Sequence, residues 1–197
     1  RIRQFTPFWK QIWDYNDFTT LMQGFVQGRY NFTDKLTLNL GLHSQFLTLN
    51  SATSLEPRAG IRYAATTRST FSAGYGLHSQ MQPTDVYFYR SLMPDGSYKQ
   101  TNKDLGFTRS HHFVLGYEFS PSKDWRIKAE TYYQYLYKVP VTLTQSSYSM
   151  LNAGASFYPN NQDSLFNDGT GENYGLELTI EKFYSRGFYG LITGTIY

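Results

Sequence analysis

Trp125-Arg126-Ile127-Lys128-Ala129-Glu130-Thr131-Tyr132-Tyr133-Gln134-Tyr135-Leu136-Tyr137 alternates with a period of two along its length. The odd positions read Trp125, Ile127, Ala129, Thr131, Tyr133, Tyr135 and Tyr137, while the even ones begin Arg126, Lys128, Glu130, Tyr132 and Gln134. A β-strand sends successive side chains to opposite faces, so this segment has one apolar, aromatic face and one charged, polar face. A helix of period 3.6 would scatter both sets around its circumference.

The same alternation recurs on both sides. Leu36, Leu38, Leu40, Leu42 and Phe46 stand against Thr37, Asn39, Gly41, His43 and Gln45. Phe71, Ala73, Tyr75 and Leu77 oppose Ser72, Gly74, Gly76 and His78; Phe113, Leu115, Tyr117 and Phe119 oppose His112, Val114, Gly116 and Glu118. Tyr174, Leu176, Leu178 and Ile180 repeat the pattern. The chain reads as all-β, with about eight strands, placed at 18–30, 35–48, 55–65, 69–81, 110–120, 124–138, 172–183 and 187–197. Short polar turns fall at Asn31–Asp34, Thr66–Arg68, Pro121–Lys123 and Tyr184–Arg186. Between those hairpins the connections are modest at 49–54 and long at 82–109 and 139–171.

Composition leaves two classes open. The 18 Tyr, 15 Phe and 3 Trp, with only 17% charged residues, give ample surface to bury, so the chain is not disordered. No window approaches the ~20 apolar residues of a spanning helix. A soluble β-domain and a membrane β-barrel remain. Several strands hold their alternation beyond the five or six residues usual in soluble sheets, and about 9–11 are needed to cross a bilayer at a tilt. Tyr30, Tyr63, Phe71, Phe119, Trp125, Phe183 and Phe188 crowd beside the short turns like an interfacial girdle. Short turns at one end and long loops at the other complete the pattern of an antiparallel transmembrane β-barrel, present here in part. That pattern puts the short turns in the periplasm and the long loops outside the cell.

The net charge of +3 is too small, and the basic residues too dispersed, for nucleic acid. The absence of cysteine excludes disulfides, zinc–thiolate sites and a cysteine nucleophile. Arg58, Arg62, Glu118, Arg126, Lys128, Glu130, Glu177 and Glu181 all take the polar phase, where a barrel would turn them to its lumen as a mixed-sign wall.

Three stretches resemble the C-terminal barrel of TonB-dependent outer-membrane receptors, especially of the Bacteroidetes type. They are Leu55–Tyr63 with Ser72–Gln80, Ser110–Glu118 running into Ala129–Tyr133, and the Gly-rich Gly169–Leu178. The resemblance implies a barrel of about 22 strands around an N-terminal plug, importing a scarce, large substrate (siderophore, glycan or peptide) with energy from the TonB complex. Residues 1–197 are then expected to be a barrel segment whose plug and energy-coupling motif lie elsewhere, since Arg1–Phe5 do not read as a leader. Outer-membrane lipid and lipopolysaccharide are the expected surroundings. Whether a surface lipoprotein joins the barrel stays open.

Local chemistry is sparse. His111 and His112 are adjacent and point oppositely, and nothing in the sequence fixes His43 beside His78. Asn167–Asn173 carries calcium-type oxygen ligands without the spacing of a calcium loop. Ser79 neighbours His78, but the two point apart along a strand, so no catalytic pair or cofactor site is placed and no enzyme is expected. The better binding candidates are Tyr87, Tyr89, Arg90 and Tyr98 in the 82–109 loop, where aromatic rings and a guanidinium can meet a ligand. Two other architectures fit the alternation: a closed eight-stranded barrel serving as anchor or adhesin, and a soluble carbohydrate-binding β-sandwich.

Overall fold

The computed structural model describes residues 12–16, 18–153 and 162–197. The N-terminal stretch Arg1–Phe5 and the middle of the 139–171 connection lie outside the described residues. Eight long strands form one antiparallel sheet: β1 (Leu21–Asn31), β2 (Leu36–Leu47), β3 (Ala52–Ala64), β4 (Ser69–Gln80), β7 (Thr108–Ser122), β8 (Trp125–Thr142), β9 (Leu165–Ser185) and β10 (Phe188–Ile196). Each is bonded to its sequence neighbour, giving the order β1-β2-β3-β4-β7-β8-β9-β10. The 81–107 connection adds α1 (Thr84–Tyr87) and a small hairpin of β5 (Ser91–Leu92) and β6 (Tyr98–Lys99). The 143–164 connection adds α2 (Met150–Ala153).

Short polar side chains close the tight turns. Thr33 Oγ1 accepts from the amides of Lys35 and Leu36, and Thr66 Oγ1 from those of Arg68 and Ser69, at 3.0–3.1 Å. Between β9 and β10, Arg186 (φ 55°) and Gly187 (φ 79°) take the left-handed pair that suits a two-residue hairpin.

The register carries each face across the whole sheet. Tyr30, Leu38, Ile61, Ala73, Leu115, Thr131, Leu176 and Ile196 form one continuous row. One position along, Arg62, Ser72, Gly116, Glu130, Glu177 and Thr195 form a row on the opposite face. The apolar row is not packed against protein: Leu115 is 59% exposed, Leu176 51% and Ile61 44%. A soluble sandwich buries this face against a second sheet, so the sandwich reading is wrong. Nor do the eight strands close into a barrel: among the described residues β1 and β10 each pair on one side only, and no register joins them.

Aromatic residues bracket the apolar face. Near the turn end lie Tyr30, Tyr63, Phe71, Tyr117 and Trp125, and near the loop end Tyr75, Phe113, Tyr133, Tyr135 and Tyr174, with aliphatic residues between. Phe183 departs from the expected girdle. Its position puts it on the charged face, where the Arg126 guanidinium lies 5.7 Å from its ring centre.

Two strands are longer than the sequence suggests. β8 runs to Thr142 and β9 begins at Leu165, so the calcium-like stretch Asn167–Asn173 is strand, with its side chains divided between the faces. Register shifts at Leu136/Val139 and Val139/Pro140, with Lys138 at φ 54°, admit Pro140 to the ladder.

Candidate functional site

The charged face and the loops folded over its upper end form the candidate site. Leu47, the last residue of β2, lies on the charged-face phase and is fully buried. It packs in one apolar cluster with Val86, Tyr87, Phe88, Leu105 and Phe107 from the 81–107 loop and with Leu165 at the start of β9. In the sheet, β3, β4, β7 and β8 separate β2 from β9. The loop therefore bridges the sheet as a cap with its own small core.

Amide side chains fasten this cap. Asn50 Nδ2 donates to the carbonyls of Lys103 (3.1 Å) and Leu105 (2.7 Å). Asn102 Nδ2 donates to Val86 O and Gln162 O, while its Oδ1 accepts from Leu165 N, tying the two long loops together. Asn167 Oδ1 accepts from Gly106 N at 2.8 Å.

The four loop candidates divide. Tyr87 is fully buried, and its hydroxyl accepts from Gln82 N–H at 3.1 Å; burial raises its pKa above the ordinary tyrosine value. Tyr89 is 6% exposed and meets Trp13 edge to face at 6.3 Å. Arg90 and Tyr98 come together at the surface: the guanidinium sits 4.7 Å from the Tyr98 ring centre and pairs with Asp14 at 3.0 Å. In the β5–β6 turn, hydrogen bonds from the Ser97 hydroxyl and amide hold Asp95 below the usual carboxylate range.

Beneath the cap lies a buried polar hub that the sequence reading did not single out. The Glu56 carboxylate is 1% exposed and accepts from His43 Nδ1 (2.9 Å), Gln45 Nε2 (2.5 Å), Ser54 Oγ (2.9 Å) and Arg58 Nη2 (3.2 Å). Gln45 Nε2 also reaches Ser79 O at 2.8 Å, and Gln23 Nε2 donates to Gln45 Oε1 at 3.1 Å. The hub thereby joins β1, β2, β3 and β4 through side chains. The alternation that places Arg58 on the polar phase places Glu56 and Ser54 there too, so that signal was available; the pairing His43–Glu56 needed the β2–β3 register.

Further toward the turn end the expected wall residues share this face. Arg126 pairs with Glu181 across β8–β9 at 2.5 Å, and Lys128 with Glu130 along β8 at 2.5 Å. Glu118 stands opposite Lys128 in the β7–β8 register. Arg62 Nη2 donates to Thr70 Oγ1 at 3.4 Å, and Glu177 Oε1 accepts from Thr179 at 3.4 Å. Glu130 leans over Gly116, where an added Cβ would lie 3.5 Å from its Oε1 and 2.5 Å from Ser72 Oγ. Among the described residues no group of three or more His, Asp or Glu is arranged to hold a metal ion.

Solved structures that share this fold include bacterial receptors and an outer-membrane transporter. The siderophore receptor PirA from Pseudomonas aeruginosa aligns over 90% of this chain at 14% identity with a TM-score of 0.65, and 34% of PirA is covered. The outer-membrane transporter YddB from Escherichia coli aligns over 83% at 14% identity (TM-score 0.62, 22% of YddB). The ferric-catecholate import receptor Fiu from Escherichia coli aligns over 90% at 13% identity (TM-score 0.61, 27% of Fiu). The chain thus spans about a third or less of the length of these proteins. At such identities the likeness is one of fold. Comparison with curated protein sequences gives no match. The family model for the TonB dependent receptor-like β-barrel matches residues 2–197, and with the two-faced antiparallel sheet this identifies the chain as a member of that family of outer-membrane barrels.

Proposed function

We propose that the chain is part of a TonB-coupled receptor, of the Bacteroidetes type, that imports a scarce, large substrate such as a siderophore, glycan or peptide. The observation that carries the reading is the exposed apolar face between two aromatic belts. On β8, Trp125 to Tyr133 covers about 26 Å along the strand at ~3.3 Å per residue, or roughly 20 Å of membrane depth at a tilt of ~40°. Lipid, with lipopolysaccharide in the outer leaflet, covers this face. Further strands from the rest of the protein satisfy the open edges of β1 and β10, since unpaired backbone is not tolerated in hydrocarbon.

On this reading Arg58, Arg62, Glu118, Arg126, Lys128, Glu130 and Glu177 line the lumen, and those on the turn side of Arg58 pack against a plug contributed by another part of the protein. The turns face the periplasm and the loop cap faces outside. Arg90 and Tyr98, supported by buried Tyr87 and Tyr89, form its substrate- or partner-facing edge, which is also where a surface lipoprotein would dock. The test is uptake. Cells expressing the full-length receptor are grown with a labelled candidate substrate in matched strains with and without TonB. The reading requires accumulation that disappears without TonB; accumulation indifferent to TonB refutes it.

A further inference from the structure

Just below the hub, a cleft of about 230 Å³ lies along the β3–β4–β7 face, lined by Arg58, Gly74, Gly76, His78 and His112. Its shape depends on glycine. A Cβ on Gly76 would stand 2.6 Å from His78 Nε2, so the His78 imidazole lies where only a bare backbone fits beneath it. The His78 and His112 rings sit 4.4 Å apart.

The donors outnumber the acceptors here. Asn173 Nδ2 donates to Gln134 Oε1 (3.4 Å), and Gln134 Nε2 faces His112 Nδ1 at 3.3 Å. With the amide donating, neutral His112 carries its proton on Nε2, which stays available to a ligand. Arg58 gives one N–H to Glu56 while 46% of its side chain stays exposed, leaving further donors of its fork. The neighbouring acid, Glu56, already accepts from His43, Gln45, Ser54 and Arg58.

We propose that this cleft binds a small anion, a carboxylate or phosphate group carried by a ligand entering from the loop end. Arg58 supplies the charge, and His112 Nε2–H and His78 supply directed hydrogen bonds. The inference rests on the lumen reading above, because it needs the charged face open to solutes.

The test is calorimetric titration of the full-length receptor in detergent with inorganic phosphate, at low salt. The expected result is saturable binding, weakened about tenfold or more in Arg58→Gln and in His112→Asn. Gly76→Ala, which displaces His78, weakens it as well. Arg68→Gln, which removes the same charge from a distant turn, leaves it unchanged. Heat-modifiable migration on gels confirms that each variant is folded. Absence of binding to the wild-type protein overturns the proposal, as does equal binding by all variants or binding of neutral sugars alone. Phosphate binding without TonB-dependent uptake keeps the cleft and removes the transport reading; uptake without phosphate binding does the reverse.

Discussion

Replacing Glu56 by alanine tests the hub directly. The carboxylate is 1% exposed and takes four hydrogen bonds of 2.5–3.2 Å. Two of its donors reach solvent when it is removed: 46% of the Arg58 side chain and 17% of that of His43 are exposed, so water compensates much of their loss. The other two do not. Gln45 and Ser54 are each 4% exposed, and each stranded donor costs about 1–3 kcal/mol. The two together cost about 2–6 kcal/mol, which brackets the roughly 3–5 kcal/mol for breaking a buried pair by deleting one partner, and we expect Glu56→Ala to fall in that narrower range. Glu56→Gln keeps the shape and one acceptor oxygen, and costs about 1–2 kcal/mol. The assay is urea unfolding of the full-length protein in lipid vesicles, followed by tryptophan fluorescence. A change below about 0.5 kcal/mol for Glu56→Ala, the size of an ordinary surface substitution, would refute the reasoning.

Leu115→Arg, in the middle of the apolar face, lowers stability in vesicles by about 2–4 kcal/mol, whereas Ser72→Arg on the charged face costs far less; the same unfolding assay reads both. Gly175→Ala brings a Cβ to 2.7 Å from Ile196 O and 2.8 Å from the Tyr132 ring and costs about 1–3 kcal/mol, while Gly60→Ala, with nothing closer than 3.9 Å, shows no such clash. Burial raises the Tyr87 pKa, so the folded state keeps this proton longer than the unfolded state. The contribution is full below the unfolded value of about 10 and is lost as pH climbs past it. Melting temperatures measured from pH 8 to 11 should fall less steeply for Tyr87→Phe than for the wild type.

The strands were legible because a two-faced sheet writes its period into the chain. Trp125–Tyr137 and Leu36–Phe46 each declare both faces without knowledge of their neighbours. The upper ends of β8 and β9 were not, because Lys138, Pro140, Gly169 and Gly171 have the chemistry of a loop. They are held in the ladder by tertiary contacts: a Cβ on Gly169 would meet Val141 Cγ1 at 2.6 Å, and one on Gly171 would collide with Leu151 of α2. The loop candidates show the same boundary. Aromatic residues in a connection signal contact of some kind, but sequence does not tell a ring that binds a ligand from one that builds a cap. Tyr87 builds the cap, and Arg90 with Tyr98 stays at the surface. The Glu56 hub depends on which residues of β2 and β3 face one another. Leu47 pairs with Ala52 across a tight turn, whereas a longer 49–54 connection moves that register.

This chain contains no cysteine, so in a full-length receptor with any cysteine elsewhere replaced by serine, single cysteines placed one at a time along β7 and β8 can carry a fluorophore without background. With the full-length receptor in vesicles of brominated lipid, labels at Leu115, Ala129 and Tyr133 should be quenched, and labels at Gly116, Lys128 and Glu130 should not. Quenching that ignores this alternation, or favours the charged positions, would contradict a sheet with lipid on one side and water on the other.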